Sequence, residues 1–396
     1  MNINSYVGLA LSILLVACGG GGGGGSETPA PSTPPPTISF SANPTSVLVG
    51  SESTLTWSSS NASSCAASGA WSGSRPTSGS ENVTITTVGD SSFTITCSGE
   101  GGSSSSIVTI EGFRQTDGVV VDGYITGADV FIDENSNFIA DATENSTTSD
   151  NEGKFTIKYA DGNLVSLGGT DLDSQTLLDN LLITHKLAGH SEFKAITPVT
   201  SVAAFMQDAS SINSTLGIDA SIDIFTFDPV ANKGDGGIYD YLYEKGNQLT
   251  VLAFALQNIT NNINASTDTT QDYFKAISEE IEKEYNETLT KVDIETEAFV
   301  IKALENVIEA KSVAIDEAAR ANVSRALSGM LPIVQVKSTD NLTTSIIRFA
   351  LSTLQTDIQA IANGSASAEI VTSYTEDLLN YIAQDQNIDS DEIAPD

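Results

Sequence analysis

Ile196-Thr197-Pro198-Val199-Thr200-Ser201 is the stretch on which the fold turns. Upstream of it apolar residues recur at every second position, the period of half-buried strands; downstream they recur every three or four, the period of helices. Thr197 has the side-chain oxygen of an N-cap. Pro198 suits the first helical position, where its fixed φ fits and no N–H is needed. Beyond it, Tyr239, Leu242, Tyr243, Leu249, Leu252, Ala253, Leu256, Ile259 and Ile263 form a stripe along one helical face. Similar stripes run through 271–289, 294–329, 341–362 and 367–385. Asn264-Ala265-Ser266, Pro332 and Asn363-Gly364 interrupt them. Asp223-Ile224-Phe225-Thr226-Phe227-Asp228-Pro229 reads as a linker that ends in a helix cap. Residues 198–396 are therefore expected to be an all-α domain, a bundle or irregular helical array, ending in an acidic tail.

Working back toward the N-terminus, Ser53-Thr54-Leu55-Thr56-Trp57-Ser58 and Phe93-Thr94-Ile95-Thr96-Cys97 alternate apolar with polar residues. So do Thr37-Ile38-Ser39-Phe40-Ser41, Val83-Thr84-Ile85-Thr86 and Ile107-Val108-Thr109-Ile110, with turn signals at Asn43-Pro44, Gly50 and Gly89-Asp90. Short strands at this spacing imply a sandwich over 37–111. Cys18 ends an apolar run, which leaves Cys65 and Cys97 as an even pair in a β-rich segment and so as one expected disulfide. Asn43-Pro44 with Val49-Gly50, Leu55-Thr56-Trp57-Ser58, Asn61-Ala62-Ser63-Ser64-Cys65 and Thr94-Ile95-Thr96-Cys97 together make this segment resemble bacterial Ig-like domains. Trp57 reads as core. Trp71, in Ser68-Gly69-Ala70-Trp71-Ser72-Gly73, reads either as core or as an exposed aromatic that stacks on sugars.

Between these halves, 112–197 reads as a small β module, with strands at Val119-Val120-Val121, Ala128–Ile132 and Lys154–Tyr159. Between its second and third strands runs Asp133-Glu134-Asn135-Ser136-Asn137-Phe138-Ile139-Ala140-Asp141-Ala142-Thr143-Glu144. Asp133, Asn135, Asn137, Asp141 and Glu144 put side-chain oxygens where an EF-hand-type loop needs them, and Ile139 can offer its carbonyl. Ca²⁺ is the expected ion, because it takes six to eight hard oxygens in a loose shell. The alternative is a polar hairpin loop without metal. Two departures are plain: Phe138 stands where the sharp turn normally takes glycine, and strands flank the loop. With Ser149-Asp150-Asn151-Glu152-Gly153, the unit resembles repeat modules of bacterial surface adhesins, whose Asp-x-Asn-x-Asn loop precedes such a turn. Leu164–Asp171 and Ile196–Ser201 resemble stretches that follow such modules in long exported bacterial proteins.

The first residues read as an address. Val7–Ala17 is apolar but too short for a bilayer, which takes about 20 residues. Its length suits a signal-peptide core. Leu15-Val16-Ala17-Cys18 resembles a bacterial lipobox, although Met1–Tyr6 lacks the usual Lys or Arg. The resemblance implies cleavage before Cys18, a diacylglyceryl group on its sulfur and, with Gly19 following, sorting to the outer membrane or cell surface. Gly19–Gly25 and the proline-rich stretch to Pro36 form a spacer that reaches roughly 60 Å when extended, at about 3.3–3.6 Å per residue.

Charge narrows the partners. The 396 residues carry 51 Asp+Glu against 17 Lys+Arg, a formal net of −34. Such a surface repels nucleic acid and attracts cations. His185 and His190, the chain's two histidines, have the wrong spacing for one helical face, so neither a zinc site nor a catalytic triad is expected. Glu279, Glu280, Glu282 and Glu284 read as a solvated acidic face, with a glycosidase pair as the alternative. Asp385–Asp391 alternates oxygen ligands and is a second candidate Ca²⁺ loop. The expectation is a non-enzymatic, lipid-anchored surface protein that serves in adhesion, ligand binding or envelope assembly. A carbohydrate-binding accessory to polysaccharide processing is the alternative.

Overall fold

A computed structural model describes residues 33–186, 193–264, 269–334, 346–350 and 353–365. The described chain divides into two compact units. The first comprises 33–45, 52–84 and 90–110. The second comprises 46–51, 85–89 and everything described from 111 onward.

The first unit is a sandwich. Strands β1 (Thr37–Asn43), β3 (Glu52–Ser60) and β6 (Ser78–Thr84) pair antiparallel in the order β1-β3-β6. Strands β4 (Ser64–Gly69), β5 (Gly73–Arg75), β7 (Gly89–Gly99) and β8 (Gly102–Phe113) lie in the second sheet in the order β8-β7-β4-β5. The period-two pattern works as the sequence suggests: Leu55 and Trp57 point inward while Thr54 and Thr56 are exposed. Cys65 and Cys97 face each other across the β4–β7 ladder and are joined by a disulfide. β4 escapes the sequence reading because Ser64-Cys65-Ala66-Ala67-Ser68-Gly69 is built from small residues of weak strand preference.

Trp71 belongs to this core and is not an exposed sugar platform. It is 7% exposed, stacks on Phe40 with ring centroids 5.7 Å apart, and meets Trp57 and Phe93 edge-on at 5.5 and 6.2 Å. Its indole Nε1 donates to the Thr94 carbonyl at 3.0 Å, and the Arg75 guanidinium covers its ring at 4.7 Å. A buried indole satisfied in this way has no face left for a ligand.

The second unit opens with β2 (Ser46–Leu48), which pairs in parallel with Glu111–Phe113. Three small sheets follow. β9 (Gln115–Val120) lies between β13 (Lys154–Lys158) and β17 (Lys194–Ile196). β11 (Asp129–Asp133), β12 (Ser146–Thr148), β14 (Asn163–Leu167) and β16 (Leu182–Lys186) order as β12-β11-β14-β16, and β10 (Ile125–Thr126) pairs with β15 (Thr170–Asp171). The helices are α1 (Pro198–Phe205), α2 (Ile212–Leu216), α3 (Ile238–Asn264), α4 (Gln271–Thr288), α5 (Glu297–Lys311), α6 (Glu317–Met330) and α7 (Thr353–Ala362), with residues 346–350 also helical. β modules followed by helices are thus the architecture, as the two periods require.

Thr197 and Thr200 close a reciprocal capping box on α1, with Pro198 at its first turn. Thr200 Oγ1 also donates to the Thr184 carbonyl at 3.0 Å, and Thr184 N donates to Ser201 Oγ at 2.9 Å. These bonds explain why a buried helix carries hydroxyls: they stitch it to β16. One hydrophobic cluster runs from Val120, Val130 and Ile132 through Val199 and Val202 into Leu249, Leu252, Phe274 and Ile281. The change of period at Thr197 therefore marks a change of secondary structure inside a shared core. The single stripe expected over 294–329 is two helices. Ser312 takes a left-handed conformation that ends α5, and Asp316 caps α6 by accepting from Ala319 N.

Candidate functional site

The 133–144 loop joins β11 to β12. Asp133, the last residue of β11, is fully buried. Its two carboxylate oxygens accept from Asn137 N and Phe138 N, both at 3.1 Å, so the backbone folds around the side chain. Asn135 Oδ1 accepts from Asn137 N at 2.9 Å, and Asn137 Oδ1 accepts from Ile139 N at 2.7 Å. From the far side, Glu144 uses both oxygens, accepting from Glu134 N at 2.9 Å and Asp141 N at 3.1 Å. Asn135 Nδ2 and Asn137 Nδ2 both donate to Asp141 Oδ2, at 2.7 and 3.1 Å. All five side chains singled out from the sequence therefore meet in one small network, and Ile139 lies on its exposed rim.

The backbone adds an observation. Phe138 has φ 58° and Ser136 φ 60°, both left-handed. The sixth position of such a loop needs this conformation, and glycine normally supplies it without steric cost. Phenylalanine pays about 1–2 kcal/mol for it. The ring recovers that by packing: it lies against the cluster of Phe131, Val165 and Leu182 and meets Phe205 of α1 at 5.5 Å.

The donor set fits a hard cation in kind: three carboxylates, two amide oxygens and a backbone carbonyl are the ligand types Ca²⁺ takes. In the network described, the amide protons of Asn135 and Asn137 do for Asp141 what a cation would do. Among the described residues, no group of three or more His, Cys, Asp or Glu side chains is arranged to hold a metal ion. The second candidate loop, Asp385–Asp391, lies outside the described residues, as do Cys18 and His190.

His185 is a core residue of β16, 1% exposed, its Nδ1 3.2 Å from the Ala195 carbonyl and its ring edge-on to Phe225 at 5.0 Å. Burial, with Lys194 nearby, pulls its pKa down to about 4 against the weaker pull of its hydrogen bond to Ala195. The acidic run on α4 is only partly solvated. Glu280 is fully buried, with Lys302 Nζ at 3.4 Å and Lys283 Nζ at 3.5 Å, and Glu282 accepts from Gln207 N and Asp208 N. Glu279 and Glu284 remain nearer the surface.

A second acidic group was not legible from the sequence. Asp122, at the Val121–Tyr124 turn, is 3% exposed, and among the described residues neither of its carboxylate oxygens has a hydrogen-bond partner. Thr250 Oγ1 of α3 eases its charge slightly without reaching hydrogen-bond geometry. Burial first, then the neighbouring Asp171, push the Asp122 carboxyl well above the usual carboxylate range. Asp171 itself is pushed up to about 6, chiefly by burial, against hydrogen bonds from Ser174 and from the backbone N–H groups of Asp173 and Ser174. Asp173 carries the compensating partners: Lys233 Nζ and Tyr243 OH each lie 2.6 Å from its Oδ2. The signal in the sequence was faint: Gly123, φ 78°, where a Cβ would strike Asp171 Oδ1.

Compared with known proteins, the chain matches no family model and no curated protein.

Proposed function

We propose that this chain is an exported bacterial lipoprotein, tethered by lipid on Cys18 and presenting a calcium-stabilised β module together with its helices at the cell surface. Its work there is binding: adhesion, capture of a ligand, or assembly of an envelope complex, without catalysis of its own. The observation that carries this reading is the 133–144 loop, where Asp133, Asn135, Asn137, Asp141 and Glu144 converge around a left-handed Phe138. The Leu15-Val16-Ala17-Cys18 sequence and the Gly/Pro spacer behind it support the tether. The net charge of −34 suits a surface that holds divalent cations and sheds nucleic acid.

Calcium titration of the full chain by calorimetry, with melts in Ca²⁺ and in chelator, tests the metal. One saturable site, of the roughly 10⁻⁴ to 10⁻³ M affinity typical of extracellular modules, is expected in wild type and absent from Asp133→Ala. Identical isotherms for the two would sink it. Incorporation of an alkyne-labelled fatty acid, lost in Cys18→Ser, tests the anchor.

A further inference from the structure

Beside the loop lies an open cleft of about 410 Å³, lined by Ser136, Phe138, Asn163, Ala204, Phe205, Gln271 and Lys275. Four elements meet there: the 133–144 loop, the start of β14, the end of α1 and the first turns of α4. One side of it is an apolar face formed by two half-exposed aromatic rings in contact with each other, Phe138 and Phe205, with centroids 5.5 Å apart and planes tilted by 40°. Its rim is polar, with the Ser136 hydroxyl, the Asn163 and Gln271 amides and the Lys275 ammonium. Among the described residues Lys275 forms no ion pair. Among the described residues, no carboxylate lines the cleft.

We propose that this cleft binds a neutral sugar unit of a glycan. It deepens the surface-binding reading above by naming the ligand class. A left-handed phenylalanine is a backbone outlier, and such strain persists where the surroundings over-determine it, often at a ligand site. Glycine would satisfy the loop, so the ring is what phenylalanine contributes, and part of that ring faces the cleft. The lining then selects the ligand. Aromatic faces take apolar C–H surface, while hydroxyl, amide and ammonium groups take a ring of hydroxyls; few solutes other than a pyranose offer both. The volume falls within the usual 300–1,000 Å³ range of small-ligand sites and leaves room for one or two sugar rings. Charge excludes the extremes. Among the described lining residues a cation meets no carboxylate, and an anionic polymer approaches a chain of net charge −34 against its field, with Lys275 alone among them to receive it.

The test is saturation-transfer NMR and calorimetry on the full chain. The probes are neutral tetrasaccharides (β-1,4-glucan, α-1,4-glucan, β-1,4-mannan and β-1,4-N-acetylglucosamine), with a uronate tetrasaccharide as the anionic comparator. At least one neutral probe should bind, with saturation concentrated on its ring C–H protons. Phe205→Ala should weaken it tenfold or more. Lys275→Ala, at an exposed position, should weaken it about two- to tenfold, the worth of one hydrogen bond. Silence from every neutral probe, preference for the uronate, or binding indifferent to both variants would overturn the proposal. Repeating the titration in chelator separates the two readings. Sugar binding that survives chelation and needs Phe205, in a chain whose calcium isotherm matches that of Asp133→Ala, keeps the cleft and sinks calcium, whereas calcium uptake without any sugar binding does the reverse.

Discussion

Reducing the Cys65–Cys97 disulfide should lower the stability of the first unit by about 3 to 4 kcal/mol and leave the helices untouched. The bond closes a loop of sequence separation 32, and the chain-entropy relation for that length gives about 3.7 kcal/mol near room temperature. For a unit of this size each kcal/mol moves the midpoint by about 4–8 °C, so the transition should fall by about 15–30 °C. Two probes resolve it. Both tryptophans, Trp57 and Trp71, are buried in the sandwich, so their fluorescence reports that unit. Every helix of the described chain lies in the other unit, so the helical far-ultraviolet signal reports that one. The assay is a pair of melts of the full chain with and without a phosphine reductant, each followed by both signals. A tryptophan transition that moves by less than about 5 °C would refute the reasoning, because the cross-link would then do little to restrict the unfolded chain. A helical transition that moves equally would refute the assignment of the effect to the sandwich.

Two further outcomes concern the second unit and pH. Asp122→Asn should raise stability at pH 8 by about 1 to 3 kcal/mol, since the amide keeps the shape and can donate to Thr250 Oγ1. Because the wild-type carboxyl titrates higher folded than unfolded, its contribution is complete below the unfolded pKa near 4 and is lost as pH rises, so the gain from Asn should vanish in acid; equal gains across denaturant melts at pH 4 and pH 8 would contradict this. His185 works in the opposite sense: its folded pKa of about 4 lies below the unfolded value of 6.5, so folding is penalised as pH falls from 6.5 toward 4. The accumulated cost is about 3 kcal/mol, and an NMR titration in which the His185 ring protonates near 6.5 in the folded chain would remove it.

The sequence alone determined what depends on local periodicity and local chemistry. Period two in Leu55–Trp57 and Phe93–Cys97, period 3.6 from Tyr239 onward, and the Thr197-Pro198 start of α1 each follow from groups within a few positions of one another. So does the oxygen pattern of 133–144, because its members are neighbours in the chain before they are neighbours in space. Tertiary structure decided whatever depends on partners distant in sequence. Trp71 reads as core with a sugar platform as the alternative until Phe40 and Phe93 close on it. Asp122 is one acid among 51 until burial beside Asp171 and Thr250 strips it of water. Phe138 looks like a fault in a loop that wants glycine until Phe205, from another element, gives its ring a contact. The division has one physical cause. Backbone preference and side-chain period are short-range and written in order, while desolvation and packing are set by whichever residues the fold brings within a few ångströms.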